Sequence, residues 1–434
     1  MSLAPRWTGS LSRLPAGDRR ELVRRVPVGR SSDVTARVEA ILGRVERDGD
    51  RALVEITREV DAVELRAIEV PRAALREAFD ALPKEIAAAL ARARRNIERA
   101  HAAFVPKTIE VETEPGVVVG RRPDPLSAVG VYAPGGRAAY PSSVLMGAVP
   151  ALVAGVPEII VCSPPGKDGR PSSVVLAAAH LAGATRVFAL GGAHAIGALA
   201  FGTETVPKVD RIVGPGNAYV AEAKRQVAGF VGIDSPAGPS EILVVADASA
   251  TPAAIVREMI AQAEHDPEAS CVAVVVGEAL ARAVLDGLAR AEPARAEIVA
   301  SALSSRGAVL HVDALDEGLT FIAEYAPEHL LLAVSDPDVA LPHAIRSGTV
   351  FLGESASVAF GDYMTGANHV LPTAGFARSM SGLSTLDYFR FTTYQRVSPE
   401  AAARMSADVA RLADAEGLPG HAAAARALGG EGGR

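Results

Sequence analysis

Glu328-His329 follows Pro327 and runs straight into the apolar segment Leu330-Leu331-Leu332-Ala333-Val334, so a carboxylate and an imidazole stand side by side at a strand end. An imidazole with an ordinary pKa of about 6.5 takes and returns protons near neutral pH, which makes the pair a candidate for acid-base work. A solvated loop pair fits the same pattern. Thr251-Pro252 marks a helix start, and the spacing predicts a helix running to about His265 before Asp266-Pro267. Gln262 and His265, three apart, would then share one face of its last turn, where exposed carbonyls favour a cation. The stretch from Phe360 to His369 reads as a Gly-rich loop with Asp362 and His369 between glycines, and Glu416-Gly417-Leu418-Pro419-Gly420-His421 adds a carboxylate and an imidazole on a turn. Gln262, His265, Asp362 and His421 together make an N/O ligand set that zinc accepts.

Three Gly-rich turns stand between apolar runs and helical segments: Pro134-Gly135-Gly136, Gly191-Gly192 and Gly214-Pro215-Gly216-Asn217. Glycines there let backbone approach a phosphate at a helix N-terminus, as a dinucleotide requires. None completes Gly-x-Gly-x-x-Gly, because Tyr219 stands where the third glycine would be. Tight turns of a doubly wound sheet explain them equally well.

The elements that would position these groups follow from periodicity. Residues 32–104 look helical, with Leu75, Phe79, Leu82, Ile86 and Leu90 recurring every three or four residues. From Val129 onward short apolar runs alternate with helical segments: Val129–Tyr132, Ile159–Val161, Arg186–Ala189 and Arg211–Val213, then Ile242–Val245, Cys271–Val276, Val309–Val312, Leu330–Val334 and Val350–Leu352. This is the grammar of parallel sheets, and it predicts an α/β protein of two tandem Rossmann-like units with a helical N-terminal region and a helical C-terminal tail. The expected segments are an arm (1–26), a helical region packing with the second α/β unit (27–131), a first α/β unit on the dinucleotide side (132–239), a second carrying the metal and acid-base residues (240–383), and a tail (384–434). The tail is too short for a core of its own and should pack elsewhere or on a partner subunit.

The 434 residues carry 44 Lys and Arg against 51 Asp and Glu, a formal charge of -7 with both signs scattered, which argues against nucleic acid as a partner. The only two cysteines, Cys162 and Cys271, lie in apolar runs, so thiolate metal sites and a disulfide scaffold are excluded and a reducing cytoplasm suits the chain. No export signal opens the sequence, and Pro141 and Pro150 break its longest charge-free stretch, so a membrane span is not expected. His101, His180, His343 and His311 sit inside regular elements and read as structural.

The segments Val213–Val220, Asp234–Glu241, Gln262–Asp266, Ala326–Leu330 and Gly361–Pro372 resemble histidinol dehydrogenase, in order, over residues 27–421. The resemblance implies one zinc per subunit on Gln262, His265, Asp362 and His421, holding the substrate's nitrogens. It implies an acid-base role for Glu328 and His329, a substrate pocket completed by Ser240, His369 and Glu416, and NAD contacts at Tyr132 and Asn217. The family usually has Gln where this chain has His194; an imidazole still donates one hydrogen bond, so His194 stays in the expected cofactor set. The implied reaction takes L-histidinol through L-histidinal to L-histidine with two NAD, as a step of histidine biosynthesis. The implied assembly is a cytoplasmic homodimer with shared sites, Glu416 and His421 reaching the partner. Three other readings fit the same residues: a related dehydrogenase acting on another small hydroxylated substrate, a zinc hydrolase, and a non-catalytic two-lobed binding protein.

Overall fold

The computed structural model describes residues 3–25, 32–135, 139–235 and 238–429. Gly136 of the first Gly-rich turn, Pro236-Ala237 of the segment before Glu241, and the Gly-rich end lie outside the described residues. The chain divides into two units, one made of Met1–Phe104 and Leu126–Tyr388, the other of Val105–Pro125 and Phe389–Arg434.

The larger unit holds two parallel sheets. In the first, β4 (Ala128–Tyr132), β5 (Glu158–Ser163), β6 (Arg186–Ala189), β7 (Arg211–Val213) and β8 (Gly232–Ile233) lie in the order β6-β5-β4-β7-β8. Helices α5 (Pro141–Ala154), α6 (Ser173–Leu181), α7 (Gly192–Phe201) and α8 (Ala218–Val227) connect them. In the second, β9 (Glu241–Ala246), β10 (Ser270–Val276), β11 (Ala308–Val312), β12 (His329–Ala333) and β13 (Thr349–Leu352) lie in the order β11-β10-β9-β12-β13, with β1 (Trp7–Ser10) added beside β11. Its helices are α9 (Pro252–Ala263), α10 (Glu278–Arg290), α11 (Ala296–Arg306), α12 (Leu315–Tyr325), α13 (Pro337–Ala340) and α14 (Val358–Tyr363). Counted from the first strand of each half, both sheets run third-second-first-fourth-fifth. The repeat of element order expected from the sequence is therefore also a repeat of topology. Both sheets are covered by helices, which is why their strands are continuous Val/Ile/Leu runs rather than alternating ones.

The amino-terminal helices differ from expectation. Helices α2 (Ser32–Asp61), α3 (Arg72–Asp80) and α4 (Lys84–Ala102) pack on the first sheet's helices, α2 against α7 and α8, α3 against α6 and α4 against α5, rather than with the second half. The reason is the apolar stripe of α2: Val38, Leu42, Val45, Leu53 and Ile56 share one buried cluster with Ile196, Leu199 and Val220. That stripe bends at Gly49, whose φ of 54° places it in the left-handed region, and the next N–H, of Asp50, donates to Glu204 at 2.9 Å. The arm also contributes more than a tail: β1 pairs with β11, and α1 (Ala16–Val23) follows it.

Residues 105–125, expected to be helical, form an antiparallel pair, β2 (Ile109–Glu114) and β3 (Val117–Pro125). The segment after Tyr388 begins with a third strand, β14 (Phe389–Val397), beside β3, before α15 (Pro399–Ala415) and α16 (Pro419–Leu428). These elements make up the smaller unit. Among the described residues no helix is long and apolar enough to cross a membrane.

Candidate active site

Parallel pairing sets the starts of β9 and β12 side by side, with His329 in register with Ile242. The first residue of β9, Glu241, thereby serves both members of the acid-base pair through its backbone: its N–H donates to Glu328 Oε2 at 2.6 Å, and its carbonyl lies 2.9 Å from His329 Nδ1. A carbonyl only accepts, so Nδ1 carries a proton and Nε2 is the nitrogen left to exchange one. Nε2 has no hydrogen-bond partner and faces Asp362 Oδ1 at 3.7 Å. Glu328 and His329 are 5% and 4% exposed, so water screens the pair little. Burial alone would lower the His329 pKa, but the Glu328 carboxylate, 3.4 Å from Nδ1, and then Asp362 outweigh it and raise the imidazole to about 10.

Helix α9 ends at Ala263, two residues short of expectation. Gln262 therefore stands in its last turn, 1% exposed, while His265 lies beyond the helix and is exposed. The two do not share a regular helical face. Gln262 Oε1 is buried without a partner, a costly state for a side-chain carbonyl unless something else binds it. Asp362 is not on a loop but on the short helix α14, whose start is fixed by Ser357 Oγ, which accepts from Ala359 N, and by Glu258 Oε2, which accepts from Val358 N at 3.0 Å. Its Oδ2 lies 4.0 Å from His265 Nε2. Burial would raise the Asp362 carboxyl, but His329, and then His369 and His265, hold it below its ordinary value. The buried unpaired amide oxygen of Gln262, the anionic Asp362 carboxylate and the His265 imidazole are donor types that fit a borderline cation such as zinc. Among the described residues no cluster of three or more His, Cys, Asp and Glu makes a complete cage on its own.

His369 does lie on a loop, as expected. Its Nδ1 donates to the backbone oxygen of Asp362 at 3.0 Å, and its Nε2 lies 3.3 Å from Ser143 Oγ on α5. The loop is strapped to the first half by Asn96, whose amide donates to Met364 O at 2.7 Å, and by Asn368, whose amide donates to Met146 O at 2.8 Å. Ser240 is half-buried just before β9, its carbonyl accepting from Ser270 N at 3.0 Å.

In the first sheet the strand order reverses between β4 and β7, and the loops beyond their carboxyl ends flank the crevice where open α/β sheets take ligands. Tyr132 closes β4; its buried hydroxyl accepts from Gly192 N at 3.1 Å, and burial pushes its pKa up to about 12. Asn217 caps α8, accepting from Tyr219 N and Val220 N at 3.0 and 3.2 Å with Oδ1, so its amide N–H₂ remains the group offered to a ligand. Between them Gly214, at φ 115°, approaches β4 so closely that a Cβ would fall 2.1 Å from Tyr132 O. Its N–H donates to Asp234 at 2.8 Å, its carbonyl accepts from Lys224 Nζ at 3.1 Å, and Lys224 and Asp234 form a buried ion pair.

His194 stands in the first turn of α7, two residues after Gly192. It is 1% exposed within α7, its Nε2 lies 3.1 Å from Thr57 Oγ1 of α2, and burial lowers its pKa to about 4. It is a neutral, buried imidazole tying α2 to α7. Glu416 and His421 belong to the smaller unit, at the end of α15 and in the first turn of α16, and both are exposed.

The chain matches the sequence model of the histidinol dehydrogenase family over residues 25–428. It is 47% identical to histidinol dehydrogenase of Methanosarcina mazei over 399 residues, covering 91% of this chain and 92% of the relative. It is 48% identical to that of Halobacterium salinarum, covering 90% and 92%. A crystal structure of histidinol dehydrogenase from Elizabethkingia anophelis superposes with a TM-score of 0.93 at 33% identity, covering 99% of this chain and 98% of that one.

This chain belongs to the histidinol dehydrogenase family. Histidinol dehydrogenases are NAD-dependent oxidoreductases that carry out a four-electron oxidation, which sets aside the hydrolase and the non-catalytic readings. Against that family background, sequence reasoning passed over four residues that the structure brings to the site: Arg25, Ser143, Glu241 and Glu258. Glu241 closes a segment already singled out, and Ser143 opens a helix after a Gly-rich turn, so both carried a signal. Glu258 sits one turn before Gln262 on the same buried face of α9, a spacing that could have found it.

Proposed function

We propose that this chain oxidises L-histidinol through L-histidinal to L-histidine, transferring one hydride to each of two NAD molecules in turn. The observation that carries the reading is the buried Glu328-His329 pair on the backbone of Glu241, with Asp362 beside it. Only the neutral imidazole can accept, so with His329 raised to about 10 its basic fraction grows as pH rises; in that form Nε2 takes the hydroxyl proton as hydride leaves carbon, first from the alcohol and then from the aldehyde hydrate. Glu328, with Oε2 held by Glu241 N–H, has its second oxygen to polarise the water that adds to the aldehyde. Gln262, His265 and Asp362, with His421, would hold zinc; when bound, zinc supplies a Lewis-acid anchor for the substrate's nitrogens and NAD supplies the hydride acceptor. Tyr132 and Asn217 flank the cofactor crevice, and Ser240, His369 and Glu416 line the substrate pocket.

The assembly in this reading is a homodimer in which Glu416 and His421 complete the partner's site. Helices α15 and α16 pack on four alanines, Ala410, Ala413, Ala422 and Ala425, while Leu412, Leu418 and Leu428 stay exposed, too small a core for these helices to stand alone. Two free, buried cysteines accord with a cytoplasmic setting.

The test is oxidation of L-histidinol followed by NADH absorbance before and after metal removal. Activity should vanish on chelation and return with zinc; full activity in metal-free protein would refute the metal assignment. Refolded mixtures of inactive His265→Ala and His421→Ala chains should regain activity, and mixed dimers without activity would refute the shared site.

A further inference from the structure

We propose that Arg25 is a positioning residue for the Glu328-His329 pair, acting through the side chain of Glu241 and the connection that leads into β12. The proposal rests on the acid-base reading of that pair.

Arg25 follows α1 and is 6% exposed. Its guanidinium reaches both chain segments that carry the pair. Nη1 lies 3.1 Å from Glu241 Oε2, and Glu241, itself 3% exposed, is pinned from the other side by Ala374 N, which donates to Oε1 at 2.7 Å. Nη2 donates to the carbonyls of Tyr325 and, at 3.1 Å, Ala326. The guanidinium also stacks 3.6 Å from the centre of the Tyr325 ring. Ala326 adopts a left-handed φ of 51°, a conformation that an L residue keeps only when its surroundings enforce it.

Arg25 thus clamps the entry to β9, whose first backbone group holds Glu328 and His329, and the entry to β12, which carries them. A planar fork with five donors can serve a carboxylate, two carbonyls and an aromatic face at once, and a lysine cannot. Nothing places Arg25 against the reacting atoms; it sets the distance between the two strand starts. Displacement of a reacting group by about 1 Å can cost about 10²-fold in rate.

The experiment compares Arg25→Lys, Arg25→Met and the double variant Arg25→Met/Glu241→Gln with the parent, each as zinc-loaded full-length protein. Steady-state kcat and KM for L-histidinol are measured, together with zinc per subunit and calorimetric affinity for L-histidinol. Arg25→Met should lose about tenfold to 10²-fold in kcat with KM, substrate affinity and zinc content unchanged. Arg25→Lys should recover part of the loss. Removing one partner of a buried pair strands the other charge, so Arg25→Met alone can fail to fold; the double variant removes both charges and should fold while keeping the kcat deficit. A parental kcat per zinc-loaded subunit in the folded variants, or a loss expressed only in KM, overturns the proposal. Glu328→Gln and His329→Asn are run alongside. If they too keep parental kcat, the acid-base reading falls and the positioning role with it; if they are impaired and the Arg25 variants are not, only the positioning role falls.

Discussion

Glu258 accepts the backbone N–H of Val358 at 3.0 Å, a hydrogen bond that ties together the two elements that carry Gln262 and Asp362. Glu258 lies one turn before Gln262 on the buried face of α9, and Val358 is the first residue of α14, four residues before Asp362. The carboxylate also meets the positive end of the short helix, where anions are stabilised.

Glu258→Gln should therefore loosen Asp362 relative to Gln262 without removing a ligand. Substitutions of groups that orient metal ligands cost about 10- to 100-fold in metal affinity, and the loss here is expected in that range. Competition for zinc against a chelator of known affinity measures it. A variant that holds zinc as tightly as the parent contradicts the coupling.

On the cofactor side, Lys224→Met removes the donor that holds Gly214 O and leaves Asp234 without its buried cation. The turn between Tyr132 and Asn217 should widen. The expected result is an NAD KM raised by about tenfold, the equivalent of losing one charge-assisted hydrogen bond, with the L-histidinol KM unchanged. Equal changes in both KM values would point to general damage instead.

Stability should fall in mild acid for a reason separate from the active site. Burial lowers both His101 and His194 to about 4, whereas an unfolded imidazole titrates near 6.5. Between those values the unfolded chain binds protons that the native chain refuses, so this contribution is complete above about pH 6.5 and is lost as pH falls towards 4. At pH 5 each group costs about 2 kcal/mol. Urea midpoints at pH 7.5 and pH 5 should show His194→Gln losing less between the two than the parent. Identical losses would contradict the account.

The two members of the acid-base pair should separate by half-reaction. His329→Asn is expected to slow both oxidations by about 10²- to 10⁴-fold, and Glu328→Gln to slow mainly aldehyde to acid, because only that step adds water. Stopped-flow measurement with L-histidinol and L-histidinal as separate substrates tests it. Small, equal effects of both substitutions on both steps would sink the assignment.

The buried strands were legible because their Val/Ile/Leu runs are short, bounded by Gly, Pro or Asp, and too uniform to be anything but doubly covered; Arg186–Ala189 and Arg211–Val213 match residue for residue. The exposed strands were not. Ile109-Glu110-Val111-Glu112 alternates as a strand should, yet all of its side chains face solvent, and β14 carries Arg390, Arg396 and Thr392 in place of an apolar run. Asp266-Pro267 marks where α9 cannot continue, and the helix stops earlier, at Ala263, which separates His265 from Gln262. Glycine signals for a loop after Phe360 hid α14, whose start depends on the distant Glu258. Arg25 had no local signal, since every partner that gives it meaning lies at a strand entry hundreds of residues away.

In the proposed reaction one site carries L-histidinol through two successive oxidations without releasing the aldehyde. Counting products in a single-substrate reaction with excess NAD decides it: NADH from absorbance, L-histidine and L-histidinal by chromatography. The account predicts about two NADH for each L-histidine at every time point, with no free L-histidinal, as two hydride transfers at one site demand. One NADH per substrate consumed, with aldehyde accumulating in solution, would contradict it.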